Sequence, residues 1–527
     1  MRLRYYGIPI FALLTFLTIL VVSCTDDWSK HYSAVPASKS NLNLYQYIQA
    51  QTELSKFTKM LKIVGYDTII NKSQTFTVWA PTDSALVNVS LTDTAQVVKI
   101  VKNHITRFSY PTSGIISKKI LMLDNKLIVF AKGAGGYTFG GKRVIHSDIA
   151  TKNGIIHILS DYAPYRMSIW EYLNNAAGVD SIRNYLNSLT VIQIDTAASY
   201  KNGYFVSNVY KSTNKAMTYL GQFNSEDSVY TTILPDNGAW IEAYNRILPY
   251  YKTLSKDGGV PAQIANTKWT LIKDLFFRGI ISLPIVTDSI FSTYGDGFAD
   301  PNRLFAGAQV NEMSNGMSYV TSQLQNKATE SWQKEIRIEG ENPFTPQNIA
   351  YYKPTIMSSI GTGFNISKGY YVQLNPTTSS TISKPSVTFP IPNTLAAKYD
   401  IYCVFVPTSI VDTTDKRPNK VKFYLSYVNN LGAQVTNATV DINHLVQAPN
   451  KTSAVFTTTP TSQVQEMLVV SGFQFSYANL VQRPDYISSL LSTVSLKVEN
   501  AAGVNSAEVL NFNRTLRIDC IILKPVQ

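Results

Sequence analysis

From residue 42 onward the hydrophobic positions follow two periods that alternate along the chain. In NLYQYIQAQTELSKFTKMLKIVG, Leu44, Tyr47, Ile48, Leu54, Phe57, Leu61 and Val64 recur at helical spacing and Gly65 supplies a stop, which predicts helices. TFTVWAPTDSAL switches to period two: Phe76, Val78 and Ala80 alternate with Thr75, Thr77 and Trp79, as in a half-buried strand. Pro81 lacks the N–H that a strand ladder needs, so the strand stops there. Thr82 is suited to cap a following helix, and Asp83 to sit in its first turn beside the positive end of the dipole. VVKIVKNHITRF predicts another helix, NKLIVFAKGAGGYTFGGKRVIHSDI two strands around a glycine-rich turn, and NGIIHILS a turn and a closing strand.

The same order returns in a divergent second copy. SIWEYLNNAAGVDSIRNYL supplies leading helices, and VYTTILPDNGAWIEAY repeats the strand, proline and helix with Pro235, Asp236 and Asn237 in place of Pro81, Thr82 and Asp83. WTLIKDLFFRGII takes the place of the NHI helix, and MSNGMSYVTSQL closes the copy with Asn315 and Gly316. This alignment puts Arg278 near the position of His104 and Tyr319 at that of His157, so neither histidine is repeated, while the proline corner and the Asn-Gly turn are. Shared features of this kind are folding features. His104 is accordingly read as a buried or half-buried histidine with local hydrogen bonds rather than as a catalyst.

Residues 42–164 resemble a fasciclin domain, and the resemblance rests on TFTVWAPTDSAL, on NHI with His104, and on NGIIHILSDYAPY with Asn153, Gly154 and His157. It implies an α+β fold in which Pro81, Thr82, Asp83, His104, Asn153, Gly154 and His157 are structural motif residues, and it implies the adhesion role associated with that family. Residues 167–325 are read as the second fasciclin-like domain.

Past residue 334 the pattern changes to short strands separated by turns: YYVQL, SVTFPI, YDIYCVFV, KVKFYLSYV, SLKVEN and RTLRIDCIILKP. Val421, Phe423, Leu425 and Tyr427 alternate with Lys422, Tyr424 and Ser426, the period of a sheet with one wet face. Residues 335–527 therefore predict an all-β antiparallel sandwich. The ending LRIDCIILKP, with a first strand near Glu335 to Glu339, is similar to the galactose-binding-like jelly rolls of carbohydrate-binding modules, which implies a sugar-binding role. The expected fold is thus multidomain, two α+β fasciclin-like domains followed by a jelly-roll-like antiparallel sandwich.

The N-terminus changes where this assembly is expected to sit. Arg2 and Arg4 precede the apolar run IPIFALLTFLTILVV, which has the length of a signal peptide and is too short to span a membrane well. VVSC resembles the lipobox of bacterial lipoproteins, which makes residues 1–23 the signal peptide and Cys24 the lipid-bearing first residue, and Asp26 and Asp27 resemble the acidic signal that directs Bacteroidota lipoproteins to the outer face of the outer membrane. Residues 24–41 are polar and carry Pro36, as a tether would.

Composition narrows the partners. Hydrophobic residues make up 45% and charged residues 16%, a well-packed chain without long disordered tracts. Net charge is +12, falling to +10 without Arg2 and Arg4; the basic residues are scattered, so nucleic acid is not an expected partner. With three cysteines, no disulfide framework or thiolate metal site is predicted, and beyond Cys24 only a Cys403 to Cys520 bridge or two buried thiols remain. KGAGGYTFGGKR is a turn rather than a phosphate loop, because Arg143 follows Lys142 where Ser or Thr is needed. Asp296, Asp300 and Asn302 in YGDGFADPN offer oxygen ligands for calcium but depart from the EF-hand spacing, so no metal or other cofactor is expected. No catalytic residue is assigned and no ligand-contacting aromatic can be named among the 32 tyrosines. The resulting expectation is a non-enzymatic outer-membrane surface lipoprotein, held in lipid through Cys24, that binds glycan as an accessory to polysaccharide uptake or associates with outer-membrane transport proteins. The alternatives are a surface-anchored polysaccharide hydrolase and a purely protein-binding adhesion scaffold.

Overall fold

The computed structural model describes residues 40–342, 346–377, 379, 384–459, 461–480 and 492–526. Cys24, Asp26 and Asp27 lie outside the described residues. Among the described residues no helix is long and apolar enough to cross a membrane. The chain divides into two units, one running to Asn175 and including Gln222–Val229 and Glu312–Gly316, the other comprising Ala176–Gly221, Tyr230–Asn311 and the residues from Met317 on.

In the first unit the helical period yields Leu44–Ala50, Ser55–Val64 and Thr94–Asn103. Asn43 and Gln46 exchange side-chain and backbone bonds in a capping box that starts the first helix. Gly65 ends the second in a left-handed conformation at φ 74°, its N–H bonded to the carbonyls of Leu61 and Lys62. A seven-stranded sheet runs in the order Ile105–Arg107, Phe76–Pro81, Gly154–Leu159, Lys142–Thr151, Gly136–Phe139, Leu127–Gly133, Ser117–Leu121. Phe76–Pro81 and Gly154–Leu159 pair in parallel, from Phe76 opposite Gly154 to Pro81 opposite Leu159.

Three local expectations need correction. Phe76–Pro81 is buried along its whole length rather than on one face: Phe76 and Val78 join the helices in one apolar cluster, while Trp79 packs with Phe130 and Phe139 in a second cluster across the sheet. The glycine-rich segment makes three strands, with turns after Gly133 and after Phe139. After Pro81 the chain makes a run of turns rather than an α-helix, and the Thr82 hydroxyl pairs with the Ser84 hydroxyl at 2.9 Å instead of capping one.

In the second unit, strand Tyr230–Pro235 pairs with Phe276–Arg278 and is followed by helix Asn237–Ile247, which Asp236 caps by accepting from Ala239 N. From residue 336 the structure is two antiparallel sheets. One runs Tyr352–Ser358, Tyr370–Pro376, Leu516–Pro525, Lys398–Phe405, Gln465–Gln474, with Ile336–Glu339 also on Leu516–Pro525. The other runs Gln347–Ala350, Ser386–Pro390, Ser495–Asn500, Lys420–Val428, Gln434–Val440, Val446–Gln447, with Phe456–Thr457 also on Lys420–Val428. Phe405 of the first meets Phe423 of the second at 6.4 Å between ring centroids, so buried faces of the two sheets meet. The alternation read along Lys420–Val428 holds through Leu425 and then breaks: a bulge between Leu425 and Tyr427 turns Tyr427 outward and Val428 inward. Within this unit Ala396 N bonds Tyr250 O at 2.9 Å and Ala478 N bonds Lys252 O at 2.8 Å, which ties the C-terminal sheets to the segment after helix Asn237–Ile247.

Candidate functional site

The fasciclin motif residues act as polar joints between elements. Asp83 reaches back to the helix Ser55–Val64, accepting from Lys56 N at 2.8 Å and from the Ser55 hydroxyl at 2.6 Å, so the helix end it stabilises lies upstream rather than downstream. Asn153 is buried and makes three bonds: its oxygen accepts from Leu44 N at 2.8 Å, and its amide donates to Ile70 O at 2.8 Å and Lys72 O at 2.6 Å. Gly154 lies where the parallel strands approach, and a Cβ there would stand 2.0 Å from the Phe76 carbonyl oxygen.

Both motif histidines are fully buried. His104 Nδ1 lies 2.7 Å from Ile100 O, and Nε2 accepts from Ala163 N at 2.9 Å. A carbonyl only accepts and an amide N–H only donates, so the proton sits on Nδ1 and the ring is neutral. Burial pushes its pKa down to about 4. His157 donates from Nε2 to Tyr110 O at 2.9 Å and accepts at Nδ1 from Asp148 N at 3.3 Å; burial lowers its pKa as well. Its ring stacks on Trp79, which stacks in turn on Phe139 at 4.3 Å. Neither histidine has a nitrogen left for a substrate.

The second copy repeats this skeleton with other side chains. Asn315 accepts from Ile169 N at 2.8 Å and donates to Phe223 O and Ser225 O at 3.0 Å, matching the three bonds of Asn153. Asn237 accepts from Ser181 N at 2.9 Å near the start of helix Asp180–Ser188, as Asp83 does at its helix. Thr77 and Thr231 each donate to one backbone carbonyl and accept one amide, Phe108 O and Tyr110 N in the first copy, Gly279 O and Ile281 N in the second. Tyr319 does replace His157, and its hydroxyl donates to Ile281 O at 2.8 Å where His157 donates to Tyr110 O. The position of His104, however, is taken by Leu275 and not by Arg278. Trp79 N bonds His104 O and Ile233 N bonds Leu275 O, both at 2.9 Å, while strand pairing sets Arg107 opposite Phe76 and Arg278 opposite Tyr230.

Two of the three cation ligands considered at YGDGFADPN, Asp296 and Asn302, are already engaged. Asp296 is ion-paired with Lys273 and Lys334, and Asn302 bonds both Ile285 N and Ile285 O at 2.8 Å. Cys403 and Cys520 are buried free thiols. Cys403 pairs with Ile521 across neighbouring strands, so Cys520 shares its face with Val404 and points away from Cys403.

The arrangement best suited to a ligand lies on the six-stranded C-terminal sheet. A pocket of about 400 Å³ is lined by Arg337, Asn365, Ser367, Glu466 and Asp519, with Val404, Val464 and Ile522 as its apolar part. Tyr402 packs against the same apolar cluster, with the Lys524 ammonium 4.7 Å from its ring centroid. Beside the pocket, carboxylates crowd together: ligand atoms of Glu339, Asp519 and Cys520 lie within 4.8 Å of one another. Asp519 is buried, with Oδ2 accepting from Ser367 N at 3.1 Å and Oδ1 without a hydrogen-bond partner; Glu341 Oε2 is likewise buried and unbonded. Burial, with Glu339 and Glu341 adding to it, pushes the Asp519 pKa up to about 6. Two positive charges face the cluster: Lys368, 3.4 Å from Glu339, and the Arg337 guanidinium, which donates to Cys520 Sγ at 3.3 Å and pulls the Asp519 pKa the other way. Within the group of Glu339, Asp519 and Cys520, the unspent Asp519 oxygen and the neighbouring Glu339 carboxylate are of the type a hard divalent cation such as calcium takes, whereas the Cys520 thiol, its pKa raised by burial, does not add a thiolate. The sequence reading missed this set because about 180 positions separate its members; the pairing of strand Ile336–Glu339 with Leu516–Pro525 brings them together. A further cavity of about 380 Å³ in the first unit includes Lys126 and Arg166 in its lining, but Lys126 is paired with Glu171 and Glu226 and Arg166 with Glu312.

Residues 52–162 match the family model of the fasciclin domain, so this multidomain, β-rich chain contains a fasciclin domain. Among solved structures it is similar to the FAS1 domain pair of the insect cell adhesion molecule fasciclin I, at 13% identity and a TM-score of 0.20, over 53% of this chain and 98% of that one. It is also similar to a Paenibacillus xanthan lyase, at 12% identity and a TM-score of 0.22, over 42% of this chain and 17% of that one. A third similarity is to the CBM22-1 xylan-binding domain from Paenibacillus barcinonensis, at 10% identity and a TM-score of 0.17, over 36% of this chain and 95% of that one. No curated protein matches the chain.

Proposed function

We propose that this chain is a non-catalytic lipoprotein of the outer-membrane surface that binds glycan through its C-terminal jelly-roll-like sandwich, residues 335–527, as an accessory to polysaccharide uptake. Cys24 carries the lipid, Asp26 and Asp27 direct export, and two fasciclin-like domains, 42–164 and 167–325, precede the sandwich along the chain. The observation that carries the reading is the polar pocket of about 400 Å³ beside Tyr402. Arg337, Asn365 and Glu466 line this pocket with donors and acceptors for sugar hydroxyls, and the Tyr402 ring, with the Lys524 ammonium over it, packs against the apolar cluster that includes Val404 and Ile522 of the pocket wall. Such a shallow polar site binds weakly per contact.

The test uses the chain from residue 24 on with Cys24→Ser, because the sandwich shares backbone bonds with the rest of its unit. A glycan array followed by calorimetry is expected to show saturable binding, lost in Tyr402→Ala and Arg337→Ala, with no new reducing ends from the bound polysaccharide. Turnover would establish the hydrolase alternative. Absence of glycan binding together with tight capture of an outer-membrane protein would leave only the adhesive role. In cells, Cys24→Ala is expected to release the protein from the membrane fraction, and replacing Asp26 and Asp27 by Ala to reduce its access to external protease.

A further inference from the structure

Residues 190–214 form an arm that shows its apolar side chains to solvent. Among the described residues, strands Thr190–Ile194 and Tyr210–Asn214 pair only with each other, with Ile194 opposite Tyr210 and Ile192 opposite Ser212, so Ile192, Ile194 and Tyr210 share one face. All of Thr190–Ile194 is exposed, Ile192 at 72% and Tyr210 at 62%. Between the strands, Tyr200–Lys201 and Tyr204–Phe205 form a hairpin whose turn, Asn202 at φ 52° and Gly203 at φ 82°, carries Tyr204 at 79% and Phe205 at 57% exposure, followed by exposed Val206. The arm is shaped by polar contacts: Asp195 accepts from Ala198 N, Asp195 N bonds Val209 O at 2.7 Å, Val206 N bonds Ser199 O at 2.9 Å, and the Ser199 hydroxyl accepts from Val209 N. A two-stranded ribbon that buries almost nothing is marginal in water, and a contiguous exposed apolar surface marks a contact surface.

We propose that this arm seats in an anionic lipid surface. Tyrosine and phenylalanine beside lysine at a hairpin tip match the lipid–water interface, where rings lie at headgroup depth and the ammonium reaches the phosphates. Charge agrees: Asp195 is the one acid in residues 190–214 and is paired with Lys211 at 3.7 Å, while Lys201 at the tip has no ion pair among the described residues. The length of chain before the folded part adds a second argument, which rests on the anchor reading above. From a lipidated Cys24 to Ser40 is roughly 16 residues, which span at most about 55 Å, so the fold stays close to the bilayer and even a weak contact of the arm is populated.

The test takes the chain from residue 24 to residue 527 with Cys24→Ser, which bears no acyl group, and sediments it with phosphatidylcholine vesicles with and without phosphatidylglycerol. Binding to the anionic vesicles is expected, weakened by salt and by Lys201→Glu. Combined Tyr204→Ser, Phe205→Ser and Val206→Ser is expected to lower partitioning about tenfold or more, with an unchanged circular dichroism spectrum because the positions are exposed. In Phe205→Trp, the indole emission is expected to shift to the blue on vesicle addition. No binding to either vesicle, equal binding by the triple-serine variant, or a dimer that the same variant abolishes would overturn the proposal, the last by assigning the arm to a second copy. Fatty-acid labelling of Cys24 is scored separately: an unlabelled Cys24 with vesicle binding intact removes the anchor reading and leaves the arm's lipid contact standing.

Discussion

Acidification is expected to loosen the fasciclin domain through His104, and the size of the effect follows from its surroundings. In the folded chain the ring is neutral because Nε2 must accept the Ala163 N–H, and burial holds its pKa near 4. In the unfolded chain the pKa returns to the ordinary value of about 6.5. The unfolded state therefore binds more protons wherever the pH is below about 6.5, so stability is full above that value, declines as pH falls, and stops declining below about 4. From pH 7 to pH 5 the loss from His104 is about 2 kcal/mol, at about 1.36 kcal/mol per unit of pKa difference. His157, also buried and neutral, adds a loss of the same sign. The measurement is hydrogen exchange read by mass spectrometry on peptides covering Thr94–Asn103 and Gly154–Leu159, corrected for the intrinsic pH dependence of exchange, in the wild-type chain and in His104→Gln. The variant is less stable at pH 7, because Gln cannot reach Ile100 O and Ala163 N in the same geometry, and its loss between pH 7 and pH 5 is expected to be smaller by about 2 kcal/mol. If wild type and His104→Gln lose the same amount over that interval, the buried neutral histidine is not the cause and the reasoning is wrong.

Three further outcomes are expected. Asn153→Ala and Asn315→Ala each remove a buried side chain that makes three hydrogen bonds and should each cost about 2–4 kcal/mol, read as a lowered denaturation midpoint. Asp83→Asn should be close to neutral and Asp83→Ala should cost about 1–2 kcal/mol, since Asn237 already performs the Asp83 role in the second copy; equal costs for the two changes would show that the charge and not the acceptor matters. Millimolar calcium should raise the melting temperature of the chain, by about 1.4 kcal/mol of stability at ten times its dissociation constant, and Asp519→Asn should remove the response.

What the sequence makes legible is what depends on neighbours in the chain. The Phe76–Pro81 strand, the Gly65 stop and the turn at Asn153 and Gly154 follow from spacing and backbone preference, and they are where the pattern puts them. The use made of them is long-range. Asp83 looks like the start of a downstream helix, yet its partners are Ser55 and Lys56, and Asn153 looks like a turn former, yet it joins Leu44, Ile70 and Lys72. Periodicity also fails where a helix runs into a strand: placing Arg278 opposite His104 is wrong by three residues, one turn of helix, and only strand pairing fixes the register at Leu275. The carboxylates of Glu339 and Asp519 carry no mutual signal, because an antiparallel pairing between two distant strands creates their proximity.

The two copies also bear on where function is to be sought. At His157 and Tyr319 the chemistry of the side chain differs while the bond it makes, donation to a backbone carbonyl from a strand position, is retained. At His104 the counterpart is Leu275, which keeps only the backbone bond. A reactive imidazole tolerates neither change, since phenol and isobutyl groups cannot take its protons at neutral pH. A structural donor tolerates the first, and a packing position tolerates the second. The repeated parts thus behave as scaffold, and the features without a counterpart in the repeats stand apart from it: the pocket beside Tyr402 with its crowded carboxylates, and the apolar arm of residues 190–214. The first sets Arg337, Asn365 and Glu466 around a polar pocket, the second offers rings and a lysine to a lipid surface. Each can be removed by substitutions that leave the Asn153 and Asn315 joints untouched, so binding and folding are separable by experiment.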